Sequence, residues 1–149
     1  ITFIGEKEGM SYAELNTMMN KKSGVQGLTD ISSDMRDIDR AYDEGNPEAI
    51  LARDMHYRRI KKFVGEYAAE MGGVDLIVFT GGVGENSSEM RESVCEGLEF
   101  MGVHFDKAAN QGARGVNKML STPDSKVKVA MIATNEELVI ATDTYNLVK

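Results

Sequence analysis

The sequence has no tryptophan and only one cysteine among its 149 residues. Cys95 therefore has no partner within the chain for a disulfide, which fits a reducing, cytoplasmic environment. Because Cys95 lies on the apolar side of a predicted helix, we expect a buried structural thiol rather than a nucleophile. The histidines, His56 and His104, have no acidic or nucleophilic partner at a suggestive spacing, and no zinc-type cluster is present.

Long apolar runs and an excess of basic charge are also missing. No run approaches the roughly 20 residues that a membrane-spanning helix needs, so we expect no membrane segment. The formal net charge of −7 leaves no basic face, which argues against binding to nucleic acid through the phosphate backbone. The segment Ile1–Glu8 becomes charged too early for a signal peptide. Since the sequence opens without methionine inside an apolar stretch, we expect a fragment of a longer protein.

Hydrophobic periodicity predicts helices in the first half of the chain. A capping-box pattern at Ser11–Glu14 starts one helix. Val25–Asp39 shows little periodicity and is expected to be a loop. The longest helix begins after Asn46, a good N-cap, with Pro47 at its first position, and Gly72–Gly73 ends it.

The second half alternates strands and helices. Leu76–Thr80 is typical of a strand buried on both faces, and a helix is predicted from about Ser88. Asp106–Asp124 is expected to be an irregular connection, Val127–Ile132 a second strand, and the capping-box pattern Thr134–Glu137 the start of the last helix. This order predicts an α/β fold with a mixed, largely parallel sheet flanked by helices, in one domain.

The glycine-rich segment Gly81–Asn86 joins the first strand to its helix. Such a turn presents backbone N–H groups at the positive end of a helix, which suits a phosphate group. A P-loop is excluded, because it requires Lys and Ser or Thr where Glu85 and Asn86 stand. The dinucleotide pattern G-x-G-x-x-G is only partly matched, with Ser87 in place of its third glycine. A turn resembling that of the sugar-kinase, actin and heat-shock ATPases, and a plain turn without ligand, both stay open.

Two further segments carry charged residues that fit either a structural role or a ligand-binding role. Asp34, Met35 and Arg36 fit a solvated, self-paired charge cluster, but an arginine there can also stack on a purine or hold phosphate oxygens. A helix cap explains the neighbours of Glu136 and leaves Glu136 itself free at the carboxyl end of the second strand. A carboxylate in that position can hold Mg²⁺, directly or through water.

Five ordered motifs in this chain resemble the C-terminal part of the acetate kinase (acetokinase) family. They are Lys21–Gly24, Ser32–Asp37, Val78–Ser87, Ser121–Val127 and Thr134–Leu138. The resemblance implies the C-terminal domain of an actin-like (ribonuclease H-like) ATPase fold, in a two-domain, cytoplasmic, Mg²⁺-dependent kinase that is a homodimer through this lobe. The family transfers the γ-phosphoryl group of ATP to acetate, giving acetyl phosphate and ADP. Propionate kinase shares these motifs and stays open as an alternative.

The same resemblance implies roles for individual residues. Asp34, Met35 and Arg36 would lie around the adenosine. The turn would contact adenine, ribose and the inner phosphates through Gly82, Val83, Gly84, Glu85 and Asn86. Within it, Asn86 would be the specific hydrogen-bonding residue, and Glu136 matches the family's magnesium-associated glutamate.

The residues that the family places around the reacting phosphoryl group do not occur in this sequence. In the family they belong to the N-terminal domain and to segments that precede the part represented here. Phosphoryl transfer depends on positioning and charge neutralisation around the γ-phosphate, so we expect this chain to bind ADP or ATP without turnover. A stand-alone adenine-nucleotide-binding or dimerisation module and, more distantly, a dinucleotide oxidoreductase are the other interpretations.

Overall fold

The computed structural model describes residues 1–149, which form helices and one small three-stranded sheet. In chain order the elements are α1 Thr2–Lys7, α2 Tyr12–Lys21, α3 Gly24–Thr29, α4 Met35–Asp43, α5 Pro47–Glu70, β1 Leu76–Phe79, α6 Gly81–Asn86, α7 Ser88–Cys95, a 3₁₀ helix Glu99–Met101, α8 Lys107–Asn110, β2 Lys118–Met119, β3 Lys128–Met131 and α9 Glu136–Val148. The contacts within the chain divide it into two compact units, Ile1–Arg59 and Ile60–Lys149. None of the helices is long and apolar enough to cross a lipid bilayer.

The predicted starts of α2 and α5 are confirmed by their caps. The Ser11 hydroxyl accepts from the Glu14 N–H at 3.3 Å, and the Glu14 carboxylate accepts from the Ser11 N–H at 2.8 Å, which completes a capping box. The Asn46 side chain accepts from the Ala49 N–H at 2.9 Å at the start of α5. Local side-chain chemistry therefore sets where both helices begin.

The loop expected over residues 25–39 is wrong, because this segment contains α3 and the start of α4. Asp34 is the N-cap of α4, and its Oδ1 accepts from the Arg36 N–H at 2.9 Å. Ile38 is the fully buried anchor of α4. Met35, Ile38 and Tyr42 are at helical spacing, but this pattern covers only nine residues and starts within the segment expected to be a loop, which is why the helix was not predicted.

The sheet of the second unit has the order β1-β3-β2. β1 and β3 are parallel, with Ile77 opposite Val129, and β2 pairs with β3 in the antiparallel sense. The expectation that β1 is buried on both faces is wrong within this chain, since Leu76 and Val78 are 47% and 45% exposed. Side chains alternate along a strand, and here only the face with Ile77 is covered.

Helix α7 packs its apolar side into the core of the second unit. Met90, Val94 and Cys95 are buried, and burial raises the pKa of the Cys95 thiol to about 12. The expected structural role of this cysteine is confirmed by its burial.

The segment Asp106–Asp124 is more ordered than expected, because it contains α8 and β2. Asp106 caps α8 by accepting from the Ala109 N–H at 2.8 Å, and Leu120 is fully buried. The glycines and polar residues of this segment leave no hydrophobic pattern that would predict these two short elements.

Candidate functional site

The glycine turn between β1 and α7 is itself the short helix α6. Gly81 begins it with a φ of +71°, a left-handed conformation that glycine adopts without strain. A Cβ at Gly84 would lie 3.2 Å from the carbonyl carbon of Phe79, so this glycine permits close packing on the strand. Gly82 has neither constraint, and no atom lies within 4 Å of the position its Cβ would take. The backbone at Gly82 is therefore open to approach by a ligand.

The carboxylate of Glu85 points into the protein and joins the turn to the segment after β3. Its Oε1 accepts from the Gly81 N–H and from the N–H and hydroxyl of Thr134, each at 2.8 Å. The bonds from Thr134, reinforced by the bond from Gly81, lower the pKa of Glu85, so the carboxylate is ionised at neutral pH. Thr134 is thus not the predicted helix cap: Asn135 caps α9 by accepting from the Leu138 N–H at 3.0 Å.

Arg91 supports the same turn from inside the second unit. Its fully buried guanidinium donates to the carbonyl oxygens of Gly84 and Ala113 and to Asn110 Oδ1, each at 2.8 Å. Burial lowers the pKa of Arg91, but a guanidinium remains charged at neutral pH. No sequence pattern indicated this role, because a lone arginine on a predicted helix is normally exposed.

Asn86 lies on the solvent side of the turn beside Arg114. Its Nδ2 donates to the Gly82 carbonyl at 2.8 Å, and its Oδ1 accepts from Arg114 Nε at 3.4 Å. The N–H of Gly115 donates to the Glu85 carbonyl at 3.3 Å, which brings this loop to the turn. Both Asn86 and Arg114 are exposed, so an amide and a guanidinium face solvent at the turn. Sequence reasoning missed Arg114 because it lies in the segment expected to be irregular.

Glu136 is the first residue of α9 and stands two residues after the Thr134 contact. Its side chain is exposed and makes no ion pair or side-chain hydrogen bond. The chain contains no group of three or more His, Cys, Asp or Glu side chains that could enclose a metal ion. Mg²⁺ usually keeps several waters and takes one or two carboxylates together with nucleotide phosphates, and a single free carboxylate fits that donor set.

Asp34, Met35 and Arg36 lie in the first unit, at the start of α4. Arg36 Nε donates to both carboxylate oxygens of Asp34, at 3.0 and 3.1 Å. These bonds lower the pKa of Asp34 to about 2. The side chain of Arg36 remains 87% exposed. The structure therefore pairs the two charges, as the self-paired explanation predicted, and leaves most of the guanidinium accessible.

The histidines lie outside these groups. Spacing indicated no acidic partner for His104, but in the structure its Nδ1 lies 2.9 Å from Asp124 Oδ2. The Thr122 N–H donates to the His104 carbonyl and brings the two segments together, a long-range contact that spacing could not reveal. His56 is half-buried, and burial lowers its pKa.

The structure defines an α/β protein with its candidate site at the carboxyl ends of two parallel strands. The turn follows β1 and Glu136 follows β3, and Glu85 connects the two segments. This edge of a parallel sheet is where α/β proteins usually bind their ligands.

The chain belongs to the acetokinase family, whose sequence profile matches residues 1–142. It is 54% identical over 149 residues to an acetate kinase of Bacteroides thetaiotaomicron, covering all of this chain and 37% of that protein. The predicted family is therefore confirmed, and the chain spans just over a third of the length of the relatives it matches.

Solved structures agree with this assignment. The crystal structure of Porphyromonas gingivalis acetate kinase matches with a TM-score of 0.91 and 51% identity, over 99% of this chain and 37% of that one. A propionate kinase from Francisella tularensis matches with a TM-score of 0.81 and 33% identity, over 94% of this chain and 35% of that one. The predicted α/β fold class, that of the actin-like ATPases, is confirmed.

Proposed function

We propose that this chain is the C-terminal, adenosine-binding lobe of an acetate kinase whose N-terminal domain is formed by further polypeptide. In the proposed reaction a carboxylate oxygen of acetate attacks the γ-phosphorus of ATP. The bond from that phosphorus to the β–γ bridging oxygen breaks, and ADP leaves with the electron pair. The complete enzyme is proposed to be cytoplasmic and a homodimer through this lobe, with no nucleic-acid or membrane partner.

The observation that carries this proposal is the state of the turn Gly81–Asn86. Glu85 and Arg91 hold it from within the protein, while Gly82 and Asn86 face open space. A backbone held in one conformation loses little freedom when a ligand binds, which favours affinity. The family membership of the chain makes an adenine nucleotide the ligand that we propose.

The proposed contacts divide between three segments. Gly82, Val83, Gly84, Glu85 and Asn86 form the surface for adenine, ribose and the inner phosphates, with the Asn86 amide as the hydrogen-bonding group. Asp34, Met35 and Arg36 lie around the adenosine, where the exposed guanidinium can stack on the purine. Glu136 holds Mg²⁺ directly or through water; bound with ATP, the ion supplies charge neutralisation on the phosphates.

Propionate is the alternative acceptor, and the match to a solved propionate kinase supports it. The chain is 33% identical to the solved propionate kinase over 94% of its length, so this lobe is compatible with either acid. A non-catalytic nucleotide-binding or dimerisation module remains the alternative from another class.

The reaction is tested by assaying the full-length protein for acyl phosphate formed from ATP with acetate and with propionate. We expect a higher kcat/KM for acetate. An equal or higher value for propionate would reassign the acceptor, and no acyl phosphate with either acid would contradict the kinase proposal.

The nucleotide contacts are tested by ADP titration of two variants of the same protein. Asn86→Ala and Arg36→Ala should each weaken ADP binding by about tenfold, since each removes a polar or stacking contact. Arg58→Ala is the matched control, because Arg58 is an exposed arginine of α5 outside the proposed contacts. If neither test variant differs from the control, the nucleotide contacts are wrongly assigned.

A further inference from the structure

One oxygen atom, Oε1 of Glu85, joins two segments that are far apart in the sequence. It accepts from Gly81 at the start of the turn and twice from Thr134, which lies 49 residues beyond Glu85. A carboxylate that accepts several N–H and O–H bonds forms charge-assisted interactions, which are stronger than neutral ones. The Glu85 side chain is therefore engaged within the protein.

This engagement makes the Glu85 side chain unsuited to direct contact with a nucleotide. The residue is only 7% exposed, and a carboxylate turned towards the phosphates would repel them. The Glu85 backbone remains part of the turn, since its carbonyl accepts from the Gly115 N–H at 3.3 Å. The side chain has a different task from that of its neighbours in the turn.

The segment between β3 and α9 is held at each successive residue. The Ile132 N–H donates to the Phe79 carbonyl at 2.9 Å, and the Ala133 N–H donates to Asn117 Oδ1 at 2.9 Å. Thr134 is then bound by Glu85, and Asn135 caps α9. Of these contacts, the Thr134 contact is the one that reaches the glycine turn.

We propose that Glu85 is a positioning residue that, through Thr134, fixes the first turn of α9 and the Glu136 carboxylate relative to the glycine turn. The proposal rests on the proposed function, in which the turn seats the nucleotide and Glu136 holds Mg²⁺. Glu136 lies two positions after Thr134, so their Cα atoms are within about 7 Å. A displacement of Thr134 should therefore displace Glu136 by a similar distance.

The test uses the full-length protein and compares ADP affinity by calorimetry with and without Mg²⁺. Thr134→Val removes the hydroxyl that donates to Glu85, and Glu85→Gln removes the charge at nearly constant shape. Groups that orient a metal ligand typically contribute about 10-fold or more to metal affinity. We expect each variant to reduce the gain in ADP affinity on adding Mg²⁺ by about threefold to tenfold, and Thr134→Val to leave ADP affinity in EDTA unchanged.

Two matched variants separate positioning from general stability. Thr134→Ser keeps the hydroxyl and should retain the wild-type response to Mg²⁺. Thr142→Val makes the same threonine-to-valine change on α9, at a hydroxyl that donates to the Leu138 carbonyl of its own helix, and should also respond as wild type. A loss in Thr142→Val equal to that in Thr134→Val would overturn the proposal.

The Glu136→Gln variant distinguishes a failure of the proposed magnesium role from a failure of the positioning proposal. If this variant responds to Mg²⁺ as wild type does, the magnesium role in the proposed function is wrong. If it loses the Mg²⁺ response while Thr134→Val and Glu85→Gln keep it, the positioning proposal alone is wrong. We expect Thr134→Val to have no further effect in the Glu136→Gln background, because both changes act on one carboxylate. Weakened ADP binding in EDTA by Thr134→Val would show an effect on the nucleotide site itself and contradict the proposal.

Discussion

Arg91 and Glu85 place a positive and a negative charge beneath the same six-residue helix, α6. Arg91 holds the Gly84 carbonyl, and Glu85 holds the Gly81 N–H. Both charged groups make hydrogen bonds within the protein. Neither side chain is therefore available to bind a ligand on the solvent side of the turn. At the scale of single residues, the open surface at Gly82 depends on these two internal contacts.

The buried contacts of Arg91 predict a large loss of stability on replacement. Arg91→Met keeps much of the volume but leaves the acceptors at Gly84, Ala113 and Asn110 without their donor. We expect a loss of about 3 kcal/mol, which lowers the melting temperature by roughly 10 °C. Thermal unfolding measures this, with the exposed Arg58→Met as the control of equal chemistry. A value for Arg91→Met within about 0.5 kcal/mol of the control would contradict the buried network.

The pair of Asp34 and Arg36 predicts a low titration midpoint for one carboxyl group. Because Arg36 lowers the pKa of Asp34 to about 2, NMR titration should find Asp34 ionised throughout the ordinary range of aspartate. The stabilising contribution of the pair is present above that range and is lost as the pH falls through about 2. Arg36→Ala should raise the midpoint towards about 3.9. Equal midpoints in the two proteins would refute the pairing.

At the scale of elements, Gly82 and Gly84 of α6 provide a matched pair of substitutions. Gly84→Ala brings a Cβ to 3.2 Å from the Phe79 backbone, which should cost about 1–3 kcal/mol by overpacking. Gly82→Ala meets no atom within 4 Å and has an ordinary backbone conformation, so the fold should tolerate it.

The ADP affinities of the two variants should follow the opposite order, with the larger loss in Gly82→Ala. The methyl group of Gly82→Ala occupies the proposed nucleotide surface and should lower ADP affinity by about tenfold. Unfolding and titration of both variants, beside the wild type, measure the two effects. Wild-type ADP affinity in Gly82→Ala would remove Gly82 from the proposed contact surface.

The elements that the sequence predicted are those whose signals are local. Ser11 and Asn46 cap helices through residues three positions away, and such contacts can be read from spacing. Helix α4 was not predicted although Met35, Ile38 and Tyr42 are at helical spacing, because the pattern covers only nine residues. The contact between Glu85 and Thr134 joins residues 49 positions apart, and no local pattern encodes such a pairing. The turn was predictable, whereas the groups that hold it in place were not.

At the scale of the whole molecule, helix α9 has an unusual surface. Leu138, Ile140, Leu147 and Val148 are each at least 60% exposed in this chain. A helix with apolar side chains on several faces is normally covered by other polypeptide. The chain spans 37% of the length of its Bacteroides thetaiotaomicron relative. Both observations support the proposal that further polypeptide completes the protein.

The most direct test of the central claim is calorimetric titration of the 149-residue chain, with its fold checked by circular dichroism, beside an acetyl phosphate assay. The adenosine half of a kinase site should bind MgADP or MgATP weakly, should not bind NAD, and should form no acetyl phosphate. Acetyl phosphate formation by these residues alone would contradict the division of the site between two domains. A folded chain that binds NAD, or that binds no adenine nucleotide, would contradict the assignment of the turn.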